Sequence, residues 1–195
     1  MLRAQWETGI VVMPGAYNAL TARLAFRSGA KAAYLSGGAM ANALLGAPDI
    51  GLTTLDEVAG VAARACQAAP IPMIADGDTG FGEVWNVRRT VIEFERAGLA
   101  GLHLEDQVSP KRCGHLDGKA LITQDAMEEK IRAAVAARRD DSFVIIARTD
   151  ARGVEGLDGS VERARAYLAA GADAIAVIRA VWTSRDPTAA ALALA

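Results

Sequence analysis

The chain has 195 residues, 52% of them hydrophobic and 23% charged, with a formal net charge of -2. That balance fits one soluble globular domain with a substantial core and excludes a disordered chain. There is no basic excess, no apolar run of membrane-spanning length and no signal-peptide pattern over residues 1–9, so neither nucleic acid nor membrane is an expected partner.

Taken in chain order, apolar runs predict strands at 10–13, 32–35, 72–75, 101–104, 143–147 and 174–177. Helical patterns fall between them, at about 19–28, 55–68, 84–97, 124–138 and 159–170. Thr54 and Thr123 are placed to cap helix starts, and Gly29, Gly98 and Gly171 to end helices. Cys66 sits in an Ala-rich helical pattern and reads as a small core residue. The two cysteines, Cys66 and Cys113, form no disulfide framework, so a reducing cytoplasm is the expected compartment.

The strands are nearly continuous apolar runs, which suits a parallel sheet covered by helices. Polar residues cluster just after the strands, at Pro14-Gly15, Ser36-Gly37-Gly38, 76–80, Glu105-Asp106 and 148–150. Chemistry at nearly every strand end points to a parallel α/β barrel of the (β/α)8 TIM type. The alternative, a doubly wound open sheet, would gather ligands at one switch point. A full barrel takes about 250 residues. Six units are therefore expected to make an incomplete barrel over residues 1–177, followed by an aberrant tail at 178–195 without strand–helix rhythm.

The richest segment is Lys111-Arg112-Cys113-Gly114-His115. A thiol among cations is biased toward thiolate and can exchange protons near neutral pH. Cys113 can thus serve as proton donor, as nucleophile with His115 close by, or as an inert thiol. Asp76-Gly77-Asp78-Thr79-Gly80-Phe81-Gly82 sets two carboxylates two residues apart at a strand end, and Glu105 adds a third at the next. Such acids suit Mg2+, which keeps several of its waters; the plain alternative is an Asp/Gly-rich turn. Ser36-Gly37-Gly38 can hold a carboxylate on backbone N–H groups or be a simple turn. Asp49 is an outer acid of the metal site or a turn residue. Arg148 is a substrate-carboxylate clamp or a partner of Glu105 or Asp150. His103, between Leu102 and Leu104, reads as structural.

The runs 34–38, 76–82, 103–107, 111–115 and 147–150 resemble the isocitrate lyase / phosphoenolpyruvate mutase superfamily, most closely its short 2-methylisocitrate lyase type. The resemblance runs in order over about residues 9–175. It implies a cytoplasmic, homo-oligomeric enzyme of propionate metabolism, tetrameric in full-length relatives. Such an enzyme cleaves a 2-hydroxy tricarboxylate to succinate and pyruvate, or glyoxylate, with Mg2+ or Mn2+ as cofactor. By the same resemblance Asp76 binds the metal, and Asp78, Glu105 and Asp49 hold its waters. Ser36, Gly37, Gly38 and Arg148 grip the part that becomes pyruvate, and Gly114 and His115 the succinate part. Cys113 protonates the succinate carbanion, Lys111 and His115 assist, and Tyr34 takes the hydroxyl proton.

The chain departs from the superfamily pattern at Ala176-Val177-Ile178, where the acid of a Phe-Pro-Glu run is missing. A C-terminal truncation or frameshift is the expected origin of the tail, with unpaired sheet edges, association or poor solubility, and little activity as consequences. The rival readings are a dimethylmalate lyase or carboxyphosphonoenolpyruvate phosphonomutase-like enzyme of the same superfamily, and a non-catalytic remnant that binds a dicarboxylate.

Overall fold

A computed structural model describes residues 1–114 and 116–177; the tail expected at 178–195 lies outside the described residues. The elements run α1 (Leu2–Thr8), β1 (Gly15–Ala16), α2 (Ala19–Arg27), β2 (Ala33–Leu35), α3 (Gly37–Leu45), α4 (Leu55–Ala68), β3 (Met73–Asp76), α5 (Val84–Arg96), β4 (Gly101–Glu105), α6 (Gln124–Ala137), β5 (Val144–Thr149), α7 (Gly156–Ala169) and β6 (Ala174–Val177). A short 3-10 turn, Ala151–Gly153, separates β5 from α7. The sheet is parallel throughout, in the order β1-β2-β3-β4-β5-β6. Strands that neighbour in sequence also neighbour in space, which is the winding of a TIM-type barrel. Among the described residues six units of that barrel are present, with β1 and β6 as its edges.

The start signals act as the sequence suggests. Thr54 caps α4 by accepting from the Glu57 N–H, while the Glu57 carboxylate accepts from the Thr54 N–H, a reciprocal capping box. Thr123 caps α6 through the Ala126 N–H. Gly29, Gly98 and Gly171 follow α2, α5 and α7 with positive φ.

Three local readings need correction. The run 10–13 is not a strand: Ile10 is 97% and Val12 75% exposed. Pairing with β2 begins only where the Tyr34 N–H donates to the Pro14 carbonyl, so the first strand is Gly15–Ala16. Apolar, β-branched residues favour a strand but do not form one without a ladder partner. Helix α1 was not expected. Helix α3 replaces the expected Gly-rich turn, because Ser36 accepts from the Ala39 N–H as an N-cap and the following Ala, Met and Leu residues are good helix formers.

Strand alternation sorts the side chains. Leu35, Ala75, Leu102, Leu104, Ile145 and Ala147 face the helices and pack on Val58, Val61, Val91, Phe94, Met127 and Ile131. The opposite face carries Ala32, Ile74, Val144 and Ile146, closed from below by Leu2 and Trp6 of α1. Above that apolar floor, the same face continues into Asp76, His103, Glu105 and Arg148. The fold thus delivers its polar side chains to one end of the sheet. No helix among the described residues is long and apolar enough to cross a membrane.

Candidate active site

The loop after β3 is tied down by its own backbone. The Gly77 N–H donates to the His103 carbonyl (3.0 Å), the Gly80 N–H to the Gly77 carbonyl (2.8 Å), and the Glu105 N–H to the Asp78 carbonyl (2.9 Å). The Asp78 N–H donates to Asp76 Oδ1 at 3.0 Å. Asp78 and Phe81 adopt left-handed backbone conformations, φ 46° and 57°. For a bulky residue such as Phe81 this costs on the order of 1–3 kcal/mol. These ties over-determine the loop, so both aspartates sit buried at the strand end. At Gly37, a Cβ would lie 2.6 Å from Asp76 Oδ2, so glycine there lets α3 approach the carboxylate.

Four of the expected acids meet in this pocket, but with cations among them. Lys111 Nζ contacts both Asp49 Oδ1 and Asp78 Oδ1, the latter at 2.7 Å. Arg148 pairs with Glu105 (3.0 Å) and Asp150 (3.1 Å), so in this structure it engages its internal carboxylates. Lys119 pairs with Asp150 at 3.2 Å and donates to the Gly114 carbonyl at 2.6 Å. Ser36 and Gly38 start α3 beside the pocket, and a Cβ on Gly38 would lie 3.3 Å from Asp49 Oδ2. Cys113 is a half-buried free thiol two residues beyond Lys111, and Cys66 a half-buried free thiol packed against the main core. His115 lies outside the described residues.

His103 belongs to the site, contrary to its structural reading. Its Nε2 lies 2.5 Å from the Tyr34 hydroxyl and 3.7 Å from Asp76 Oδ1, and its ring stacks on Tyr34 with centroids 5.6 Å apart. The Tyr34 hydroxyl also reaches Asp76 Oδ2 at 3.4 Å. The period-2 pattern of β4 held the signal, since His103 shares a face with Glu105 and not with its leucine neighbours.

Sequence reasoning named Asp150 as a partner for Arg148 but missed Gln107 and Lys119 as pocket residues, and the buried Asp106 behind them. The Gln107 amide donates to the Arg112 carbonyl (2.9 Å) and to Asp150 Oδ2 (3.2 Å), and accepts from the Arg112 N–H (3.0 Å). It therefore anchors the Lys111–Cys113 segment to the end of β5. Asp106 accepts from the Thr149 hydroxyl, the Asp150 N–H and the Tyr167 hydroxyl, fixing the ends of β4 and β5 together.

Burial dominates the electrostatics. It pushes Glu105 up to about 8, with Arg148 opposing and Asp76 adding to the rise. It pushes Asp78 up to about 6, Asp76 adding and Lys111 opposing. Burial also acts on Asp76, but His103, Lys111 and Arg148 overcome it and hold this carboxyl below its ordinary value. Burial holds the His103 imidazole below its ordinary value, with Asp76 opposing, and raises the Tyr34 phenol. Lys111 is lowered by burial but raised further by Asp78, Asp76 and Glu105.

Among the described residues no group of three or more His, Cys, Asp or Glu side chains is arranged, as it stands, to hold a metal ion. The donor set nevertheless fits a divalent cation. Glu105 Oε1 is buried without a hydrogen-bond partner. Glu105 Oε2 meets Arg148 only as an ion pair, outside hydrogen-bond alignment. Four carboxylates, Asp49, Asp78, Glu105 and Asp150, pair with three cations, Lys111, Lys119 and Arg148, and a fifth, Asp76, lies 3.7 Å from His103. The oxygen-rich, negatively charged excess is what a hard cation takes.

Comparison with known proteins agrees with this architecture. The family model described as phosphoenolpyruvate phosphomutase matches residues 2–193. A probable 2-methylisocitrate lyase of Corynebacterium glutamicum is 55% identical over 166 residues, covering 85% of this chain and 54% of that protein. The chain thus spans about half the length of the curated relatives it matches. Oxaloacetate acetylhydrolase in complex with 3,3-difluorooxalacetate superposes with a TM-score of 0.93 at 40% identity, over 100% of this chain and 67% of that one. Phosphonopyruvate hydrolase in complex with oxalate and Mg++ superposes with a TM-score of 0.88 at 32% identity, over 99% and 67%. A parallel sheet with acids at its strand ends, matched across nearly its whole length, makes this chain a member of the phosphoenolpyruvate phosphomutase family.

Proposed function

We propose that this chain carries the pocket of a divalent-metal-dependent carbon–carbon lyase acting on a 2-hydroxy tricarboxylate of the methylisocitrate type. The observation that carries the reading is the convergence of Asp49, Asp76, Asp78 and Glu105 with Arg148, Tyr34 and His103 in one buried pocket. The 55% identity to a probable 2-methylisocitrate lyase supports the substrate class. The Mg++ of the phosphonopyruvate hydrolase structure supports the metal, with Mn2+ as a substitute.

Asp76, Asp78, Glu105 and Asp49 would hold the cation, directly or through water. When bound, it supplies charge stabilisation to the oxygens of the 2-hydroxy acid part. Arg148 would exchange its internal carboxylates for the substrate's. Ser36, Gly37 and Gly38, at the start of α3, add a hydroxyl and backbone N–H groups. Tyr34 is held protonated by burial, so it accepts the substrate's hydroxyl proton only by passing its own to His103 Nε2, 2.5 Å away. Cys113 would protonate the carbanion of the departing succinate part, with Lys111, Gly114 and His115 beside it. The two free thiols suit a reducing cytoplasm. Exposed Leu20 (64%) and Leu24 (55%) on α2 suit a homo-oligomer.

Incubation with methylisocitrate, with and without EDTA, tests the reading. Pyruvate release that stops on chelation supports a metal-dependent lyase. Release only from dimethylmalate, or phosphonate chemistry on carboxyphosphonoenolpyruvate, would move the substrate within the superfamily. Binding of oxalate or succinate without turnover of any of these would make the chain a non-catalytic binder.

A further inference from the structure

The core-facing stripe of α6 carries a charge. Met127, Ile131 and Ala134 pack into the main core, and Lys130 lies on the same stripe, 4% exposed. Helical period puts an apolar residue at such a position. An ammonium taken out of water is unfavourable unless a buried partner satisfies it. Lys130 Nζ donates to the Thr79 carbonyl at 3.1 Å, across 51 residues of sequence. Thr79 is itself buried and follows Asp78 in the loop that bears the two aspartates. Burial holds the Lys130 ammonium below its ordinary value, with Glu83 opposing. The charge thus stands on the helix side of the sheet, facing a loop carbonyl.

We propose that Lys130 is a positioning residue for the acids of the pocket: through the Thr79 carbonyl it holds Asp78, and with it Asp76, in the arrangement that binds a divalent cation. The proposal rests on the metal reading above. The loop is fastened from behind by two helices. From α5 the buried Thr90 hydroxyl donates to the Gly80 carbonyl at 3.0 Å, and from α6 Lys130 donates to the carbonyl before it. Two consecutive carbonyls are drawn toward the helices, while the side chains of Asp76 and Asp78 meet Tyr34, His103 and Lys111. Asp78 keeps a left-handed backbone, φ 46°, which persists only where its surroundings hold it. A charged donor grips a carbonyl more strongly than a neutral one. The effect reaches both acids through backbone, because the Asp78 N–H is bonded to Asp76 Oδ1 at 3.0 Å. A methionine at 130 would fill the same space and leave the Thr79 carbonyl without this donor, free to turn and to take Asp78 with it.

The experiment pairs amide exchange, followed by NMR without metal, with calorimetric titration of Mg2+ alone. The reporters are the Gly80 N–H, bonded to the Gly77 carbonyl, and the Glu105 N–H, bonded to the Asp78 carbonyl. In Lys130→Met both are expected to exchange at least about tenfold faster, and Mg2+ to bind at least about tenfold more weakly. Lys130→Arg keeps a charged donor and is expected to restore both readouts to within about threefold. Ile131→Val trims the next residue of the same stripe without touching the loop bond, and should leave both unchanged. If Lys130→Met folds poorly, Lys130→Gln, neutral and one atom shorter, makes the same comparison. Wild-type Mg2+ affinity in the neutral variant would overturn the proposal and leave the metal reading intact. An equal loss in Ile131→Val would also overturn it, by assigning the effect to general loosening of α6. Absence of Mg2+ binding in every protein would overturn the metal reading, and with it the positioning of acids for a cation; faster exchange would then report only a loop tie.

Discussion

The Tyr167 hydroxyl donates to Asp106 Oδ2 at 2.8 Å, joining α7 to the end of β4 deep inside the protein. The pair meets the pocket through backbone, where Asp106 holds the Asp150 N–H, and it fixes the strand ends that carry Glu105 and Asp150. Asp106 also accepts from the Thr149 hydroxyl (2.7 Å) and the Asp150 N–H (2.9 Å), and the Arg163 guanidinium lies 3.6 Å away. Glu105 and Asp150 are the immediate neighbours of these contacts, so Arg148 is held between two carboxylates whose backbone cannot drift.

Replacing Asp106 by Ala leaves three buried donors without their acceptor, while Arg163 keeps Glu155. The expected loss is about 3–5 kcal/mol of folding free energy, at about 1–3 kcal/mol for each unsatisfied group. Tyr167→Phe removes one donor to a charged acceptor and is expected to lose about 1.5–3 kcal/mol. Urea unfolding of both variants checks the order. A smaller loss in Asp106→Ala than in Tyr167→Phe would show that Asp106 is not the centre of the network.

Metal binding should depend on Asp76 above all. Titration calorimetry of Asp76→Ala is expected to show no Mg2+ or Mn2+ binding where the unsubstituted protein binds. Unchanged affinity would remove Asp76 from the ligand set.

Two glycines should respond in opposite ways. At Gly37 a methyl group would meet Asp76 Oδ2 at 2.6 Å and push the carboxylate aside. Gly37→Ala is therefore expected to weaken metal binding at least about tenfold while stability changes by less than about 1 kcal/mol. Gly60 lies within α4, where a Cβ makes only ordinary contact with Arg64, 3.6 Å away. Gly60→Ala should add about 0.5–1 kcal/mol from helix propensity. Paired thermal melts and metal titrations separate the two effects; a Gly37→Ala protein with normal metal affinity would mean that α3 simply shifts.

Cys113→Ser keeps size and polarity but gives up the thiol's acidity. In a protein with lyase turnover it is expected to lower the rate by at least about two orders of magnitude, typical for a removed proton donor, with substrate binding retained. Single-turnover kinetics beside equilibrium binding resolves rate from affinity. Full turnover would take the thiol out of the chemistry.

The sequence by itself determined whatever depends on near neighbours. The spans of α4 and β6, the caps Thr54 and Thr123, and the glycines past α2, α5 and α7 were legible, because capping and period are local physics. Recurring strand–helix units, with polar residues at the strand ends, also gave the barrel type. Local signals misled where a partner was required. The apolar run 10–13 has no ladder, and Ser36-Gly37-Gly38 became a helix start once its cap bond to Ala39 formed. The pocket itself was decided by tertiary structure. Asp49 and Lys111 are 62 residues apart in sequence, as are no cap and its helix. Only the parallel register, with Asp76 beside His103 and Glu105 beside Arg148, puts these charges in mutual reach and makes burial raise Glu105 and Asp78 together. Composition names the groups that can do chemistry; which of them share a dry pocket, and which cation they hold, follows from long-range pairing that no local pattern encodes.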